Sequence, residues 1–421
     1  MKNQPMEIPL PIGDELEILT VPDSWKIKVI HPVQAPNRDF TQIVDGALAF
    51  PLNAPPFPRF ISEFKYPLVV VNDATRPTPT ASILKAIYPY LRERQTRFLV
   101  ATGSHRAPTE GEYRLIFGDI YETVKNRIFA HDAKKSPCRF LGRTGYGNEI
   151  WLNGLLWEAD VVIPVGSIEP HYFAGYTGGR KSLMPGVARY DSIEANHHLA
   201  VSSSAKPLVI EGNPVAEDLA QAEALMADTF NIFAIMTVLD GGGRLYAAAA
   251  GDLMESFRLL LPRADELFVA PVDEEADIIV TVTRPPLDID LYQSQKSLEN
   301  VRHVLRSDGI IILVSACRQG VGPAKFLELL DEMSSPEAIM ERVKSNYKLG
   351  YHKAGKIVEL TARSQVWAVT KLPDDLVLRA RMRPVKRVAR AVEEAVKVKG
   401  TQANILIVMD GGITVPIAVS V

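Results

Sequence analysis

Between residues 171 and 197 the chain reads HYFAGYTGGRKSLMPGVARYDSIEANH. This segment holds two histidines, His171 and His197, glycines at 175, 178 and 179, and a lysine at 181. Neutral imidazole ligates metals and carries protons near neutral pH. A glycine turn lets backbone N–H groups come close to a phosphate or cofactor, and a lysine beside it can serve as nucleophile or covalent tether. One short stretch thus offers a cofactor cradle, an anchor, a metal ligand and an acid/base. GYTGGRKS comes near a P-loop but departs from it, because Arg180 stands where a glycine should precede the lysine.

Three further clusters carry suitable groups. Asp73-Ala74-Thr75-Arg76-Pro77 places a carboxylate, a hydroxyl and a guanidinium on one loop, suited to a ribose, a phosphate and a carboxylate. The structural alternative there is a turn closed by a salt bridge. His105 lies in ATGSHR, and together with His171 it supplies the two bases that a two-sided proton transfer needs. In Tyr292-Gln293-Ser294-Gln295-Lys296, Gln293 and Lys296 are three apart and share a helical face, where they could meet a hydroxyl and a carboxylate. Taken alone, that segment reads as an exposed helix turn.

These groups need a scaffold, and the apolar runs supply one. YPLVVV, TRFLVA, ADVVIPV, NIFAIMTVL, ADIIVTV, GIIILVS and NILIVM read as buried strands alternating with amphipathic helices. The fold class is therefore α/β: two domains, each a mainly parallel sheet flanked by helices, with the active site in the cleft between them. Thr80–Arg92 reads as a helix that Pro89 should kink. The acidic PVDEEAD stretch marks the boundary, giving a cofactor domain over 1–270 and a smaller substrate-closing domain over 275–400. Residues 404–421 are expected to fold back onto the first domain. Each polar cluster follows the carboxyl end of a strand, the edge where parallel sheets bind ligands.

Composition narrows the class. With 421 residues, two domains are expected. Lys+Arg 47 against Asp+Glu 50 gives a net charge of −3, without the basic surplus of a nucleic-acid binder. Two cysteines, Cys138 and Cys317, are too few for a disulfide framework or thiolate cage. Together with the absence of a signal pattern or a membrane-length apolar run, this leads us to expect a soluble cytoplasmic enzyme.

Taken together, the motifs resemble those of the nickel-pincer lactate racemases and their 2-hydroxy acid homologues. DATRP, ATGSHR, PHYFAGYTGGRKSLMPG, a histidine sixteen residues after the lysine, and YQSQK stand in family order over nearly the whole chain. The resemblance implies a Ni(II)-pyridinium-3,5-bisthiocarboxylate mononucleotide covalently attached to Lys181, with His197 as nickel ligand. Asp73, Ala74, Thr75 and Arg76 would hold the mononucleotide, Arg76 also meeting the substrate carboxylate. His105 and His171 would be the acid/base pair, and Tyr292, Gln293 and Lys296 would bind substrate. Trp367 is taken as the second-domain aromatic that closes the pocket. The implied reaction is racemisation or epimerisation at C2, lactate being the default substrate, by proton-coupled hydride transfer through a 2-keto acid. The implied partners are a small 2-hydroxy acid and the enzymes that build the cofactor. The alternatives are a nucleotide-dependent transferase, against which the missing P-loop glycine counts, and a non-catalytic nickel-cofactor carrier, against which the paired histidines count.

Overall fold

Runs buried on both faces decide the architecture. PLVVVN, VVIPVGS and AIMTVL are almost wholly buried along their length, as strands covered by helices on both sides must be. The computed structural model describes residues 6–333 and 335–419. It divides into two units, one spanning Val33–Leu267 and the other joining the first 32 residues to Phe268 onward.

In the first unit, a six-stranded sheet runs in the order Leu245–Gly251, Ala234–Leu239, Val161–Ser167, Pro67–Asn72, Arg97–Ala101, Ile128–Ala130. All neighbours are parallel except the first pair. Helix Thr80–Leu91 buries Ile83, Leu84, Ile87 and Leu91 against it. Pro89 does not end this helix; it lies in the last turn, two residues before Leu91. Helix Glu110–Phe117 begins with a capping box between Thr109 and Glu112. Helix Pro214–Thr229 is capped by Asn213 and has Pro at its first position.

The second unit holds another six-stranded sheet, ordered Arg383–Pro384, Gln365–Val369, Leu305–Val314, Ala276–Val282, Asn404–Val408, Lys26–Ile30, all parallel. The two ends of the chain are placed differently from the expectation. Strand Asn404–Val408 does not return to the first domain: Ile405 pairs with Ile278 on one side and Ile27 on the other. The N-terminal segment belongs here too. Lys26–Ile30 is a short, half-exposed strand with Lys26 and Lys28, the composition of an edge that resists further pairing. Hairpin Met6–Ile12/Glu15–Val21 buries Ile8, Leu10, Ile12, Leu19 and Val21 in the core of this sheet. Pro9 and Pro11 hid that strand from a propensity reading. Trp367 is also a core residue: it is buried in strand Gln365–Val369, and its Nε1 donates to Gln365.

Cys138 and Cys317 are free thiols. No helix among the described residues is long and apolar enough to cross a membrane.

The topology makes the second unit depend on the N-terminus. Five buried hairpin side chains at about 1.5–3 kcal/mol each rival a domain's whole stability. A fragment of residues 268–421 is therefore expected to lack cooperative urea unfolding. Covalently restoring residues 1–32 through a flexible linker should recover a single sigmoidal transition, followed by circular dichroism.

Candidate active site

Three adjacent parallel strands, Val161–Ser167, Pro67–Asn72 and Arg97–Ala101, end side by side. The loops leaving their carboxyl ends carry DATRP, ATGSHR and SIEPH. They border an open cleft. Asp73, Arg76, His105, His171, Lys181 and His197 all line it. Six candidates from five segments thus share one cleft, and every lining residue belongs to the Val33–Leu267 unit.

The DATRP loop is tied to the ATGSHR loop. Asp73 Oδ2 lies 2.8 Å from His105 Nδ1, and Asp73 Oδ1 accepts from the Thr75 N–H at 3.1 Å and its hydroxyl at 2.6 Å. Burial raises the Asp73 carboxyl, but His105, Thr75 and Arg76 outweigh it, and the net shift is downward. Arg76 faces Glu169 at 3.9 Å. Ala74 packs on the core and Thr75 turns to Asp73; neither lines the cleft.

His171 is buried, stacked on Tyr172 and edge-on to Phe173. Its Nδ1 accepts the Ala174 N–H at 3.3 Å. The glycines here do a different job from the expected cradle. At Gly175, φ is +74° and a Cβ would fall 2.4 Å from the Val209 carbonyl oxygen; at Gly178, φ is +77° and it would fall 2.6 Å from that of Ser167. Both let the chain pack tightly on itself, and Gly178 alone of the two also lines the cleft.

Lys181 rides on the single 3₁₀ turn Gly179–Ser182, its Nζ 5.6 Å from the Phe173 ring centre. Its neighbour Arg180 turns inward, donating to Glu223 at 3.1 Å and lying over Phe257. Burial pushes the Glu223 carboxyl up and Arg180 pulls it back, leaving a net rise. His197, on helix Tyr190–His198, is half-buried at the cleft. Loss of hydration, then the charge of Lys181, drives its imidazole down to about 3, so it stays neutral with a lone pair for a ligand.

Ser182 was missed by the sequence reading. It lines the cleft, and its buried Oγ has no hydrogen-bond partner among the described residues. Only its place beside Lys181 pointed to it. Tyr292, Gln293 and Lys296 lie in the other unit, on helix Leu291–Val301, where Asp290 caps the Gln293 N–H at 2.7 Å. They are not among the residues lining this cleft. Lys353 Nζ lies 3.8 Å from the Tyr292 ring centre and donates to the Tyr292 carbonyl.

Two α/β units and a cleft lined by histidines, a lysine and an arginine define an enzyme. Residues 12–207 match the family model "Lactate racemase N-terminal domain", and residues 272–417 match "Lactate racemase C-terminal domain". The chain belongs to the lactate racemase family and is an isomerase, a racemase. It is 28% identical over 391 residues to a lactate racemase of Thermoanaerobacterium thermosaccharolyticum, covering 89% of this chain and 90% of that protein. It is likewise 28% identical over 354 residues to one of Lactiplantibacillus plantarum, covering 82% and 83%. The structure of the lactate racemase apoprotein from Thermoanaerobacterium thermosaccharolyticum superposes with TM-score 0.89 at 26% identity, covering 98% of this chain and all of that one. A Thermotoga maritima protein shares the fold at TM-score 0.70 and 17% identity, over 92% of this chain and all of that one.

The buried Arg180–Glu223 pair yields a stability test. Arg180→Met strands an uncompensated carboxylate and should cost about 3–5 kcal/mol in urea unfolding. The double variant Arg180→Met/Glu223→Leu should regain most of that loss, because neither charge is then left buried alone.

Proposed function

We propose that this chain racemises a 2-hydroxy acid, with lactate as the default substrate, using a nickel-pincer mononucleotide anchored on Lys181. One observation carries the reading: Lys181, His197, His105 and His171 line a single cleft. The residues present suit such a group. Lys181 offers an amine for attachment, and His197 keeps a neutral imidazole for the metal. Ser182 Oγ waits buried and unpartnered beside them. Asp73 and Arg76 are proposed to hold the mononucleotide from the loop after Pro67–Asn72, with Ala74 and Thr75 bracing that loop.

When bound, the group supplies a hydride acceptor, so that the substrate passes through a 2-keto acid and the weakly acidic C2–H need not leave as a proton. The protein supplies the rest. His105 and His171 exchange the hydroxyl proton, one for each enantiomer. Arg76 contributes a cation for the carboxylate. Gln293 and Lys296, three apart on one helix, are proposed to take the hydroxyl and the carboxylate, with Tyr292 alongside. The enzymes that build the cofactor are the partners this scheme requires.

Intact-protein mass spectrometry and metal analysis test the assignment. Lys181→Ala should lose a cofactor-sized adduct, whereas His197→Ala should keep the adduct and lose nickel. Racemisation by wild type in deuterated water should return product with its original C2 hydrogen. An unchanged adduct in Lys181→Ala, or rapid deuterium entry at C2, would overturn the scheme.

A further inference from the structure

The two cleft histidines are held by opposite kinds of partner. At His105, Nδ1 meets a carboxylate oxygen of Asp73 at 2.8 Å. An ionised carboxylate only accepts, so Nδ1 must carry a proton, and in the neutral ring Nε2 keeps its lone pair. At His171, Nδ1 meets the backbone N–H of Ala174 at 3.3 Å. A backbone N–H only donates, so Nδ1 keeps its lone pair and the neutral ring carries its proton on Nε2.

We infer that the two histidines rest as opposite tautomers, His105 as a hydrogen-bond acceptor at Nε2 and His171 as a donor at Nε2. Asp73 and the Ala174 amide are the positioning groups that impose the difference. Resting on the function proposed above, this prepares the two rings differently: His105 can take a hydroxyl proton at Nε2 directly, whereas His171 takes the hydroxyl proton of its own enantiomer only after giving up the proton on Nε2. The hydroxyl of a 2-hydroxy acid can donate to His105. The carbonyl oxygen of a 2-keto acid can only accept, and it is recognised through His171. The hydroxy acid and the keto acid intermediate thus meet differently prepared rings, although both rings are the same residue type.

A third histidine provides an internal standard. Asn153 Nδ2 donates to His131 Nδ1 at 3.1 Å, and His131 Nε2 donates to the Ala188 carbonyl at 2.8 Å. His131 is therefore an Nε2–H ring by the same logic. The geometry around Asp73 also determines what an amide would do in its place. The Thr75 N–H and hydroxyl both donate to Oδ1. In Asp73→Asn the amide oxygen must stay on that side, which turns the NH₂ toward His105 as a donor.

The test reads tautomers directly. The full chain, without cofactor, is labelled with nitrogen-15 histidine and examined by long-range proton–nitrogen correlation at about pH 8, above the ordinary histidine range. His105→Gln and His171→Gln identify the two rings among the eight histidines. The expected result is Nδ1–H for His105, and Nε2–H for His171 and His131. In Asp73→Asn the nitrogen shifts of His105 should exchange to the Nε2–H pattern while His131 and His171 stay as they are. Finding one tautomer for both His105 and His171 overturns the inference. So does an unchanged His105 in an Asp73→Asn protein whose His131 signals show an intact fold. If that variant does not fold, the wild-type tautomers decide alone. Because no cofactor or turnover enters the measurement, loss of this inference leaves the racemase reading standing, and a missing Lys181 adduct would leave the tautomers standing.

Discussion

The register of three parallel strands is the constraint on which the site depends. Asn72 is paired with Ala101, and Val71 with Val165, so the residues that follow each strand leave the sheet at matching heights. Asp73 comes one residue after its strand and His105 four residues after its own. A slip of one position would invert the faces of a strand that is buried throughout. It would also separate a carboxylate and an imidazole that stand 2.8 Å apart. Core packing therefore protects the geometry of the cleft: the same valines that exclude water from the sheet hold the loops in step.

Charge is distributed in the cleft by orientation more than by count. Arg180 and Lys181 are adjacent cations on one short turn, yet they face different surroundings. Arg180 is neutralised inside the unit by Glu223, while Lys181 stands at the cleft and lowers the proton affinity of His197. Arg76 faces the Glu169 carboxylate at 3.9 Å and helps to lower the Asp73 carboxyl. The outcome is a pocket with two cations, Arg76 and Lys181, and two carboxylates, Asp73 and Glu169, in which one imidazole stays neutral, another is backed by a carboxylate and a third by an amide. Each histidine is prepared by its neighbours for a different role.

The second unit shows how far apart in sequence one sheet's strands can be. Its edge strand comes from residues 26–30 and the neighbour of that strand from 404–408. The N-terminal hairpin fills the same core that Ile278, Val280 and Ile312 begin. Trp367 packs into that core as well, with Arg383 over its ring, so its bulk serves cohesion.

Much of this protein is legible in its sequence because the signals are local. Alternating β-branched runs and amphipathic stretches identify a parallel α/β fold, and polar clusters just after strands mark the ligand-binding rim. Asp73, Arg76, His105 and His171 stand in such clusters, and the structure lines one cleft with them together with Lys181 and His197. Only the tertiary structure decided the rest. The partition of the chain turned on a five-residue strand rich in lysine, whose partner lies more than 370 residues away, and no local pattern encodes such a pairing. The inward turn of Arg180, the packing role of Gly175 and the carboxylate behind His105 likewise depend on residues distant along the chain. Residue type and spacing say what a side chain is able to do; burial and the neighbours brought in by the sheet decide which way it points and which proton it carries.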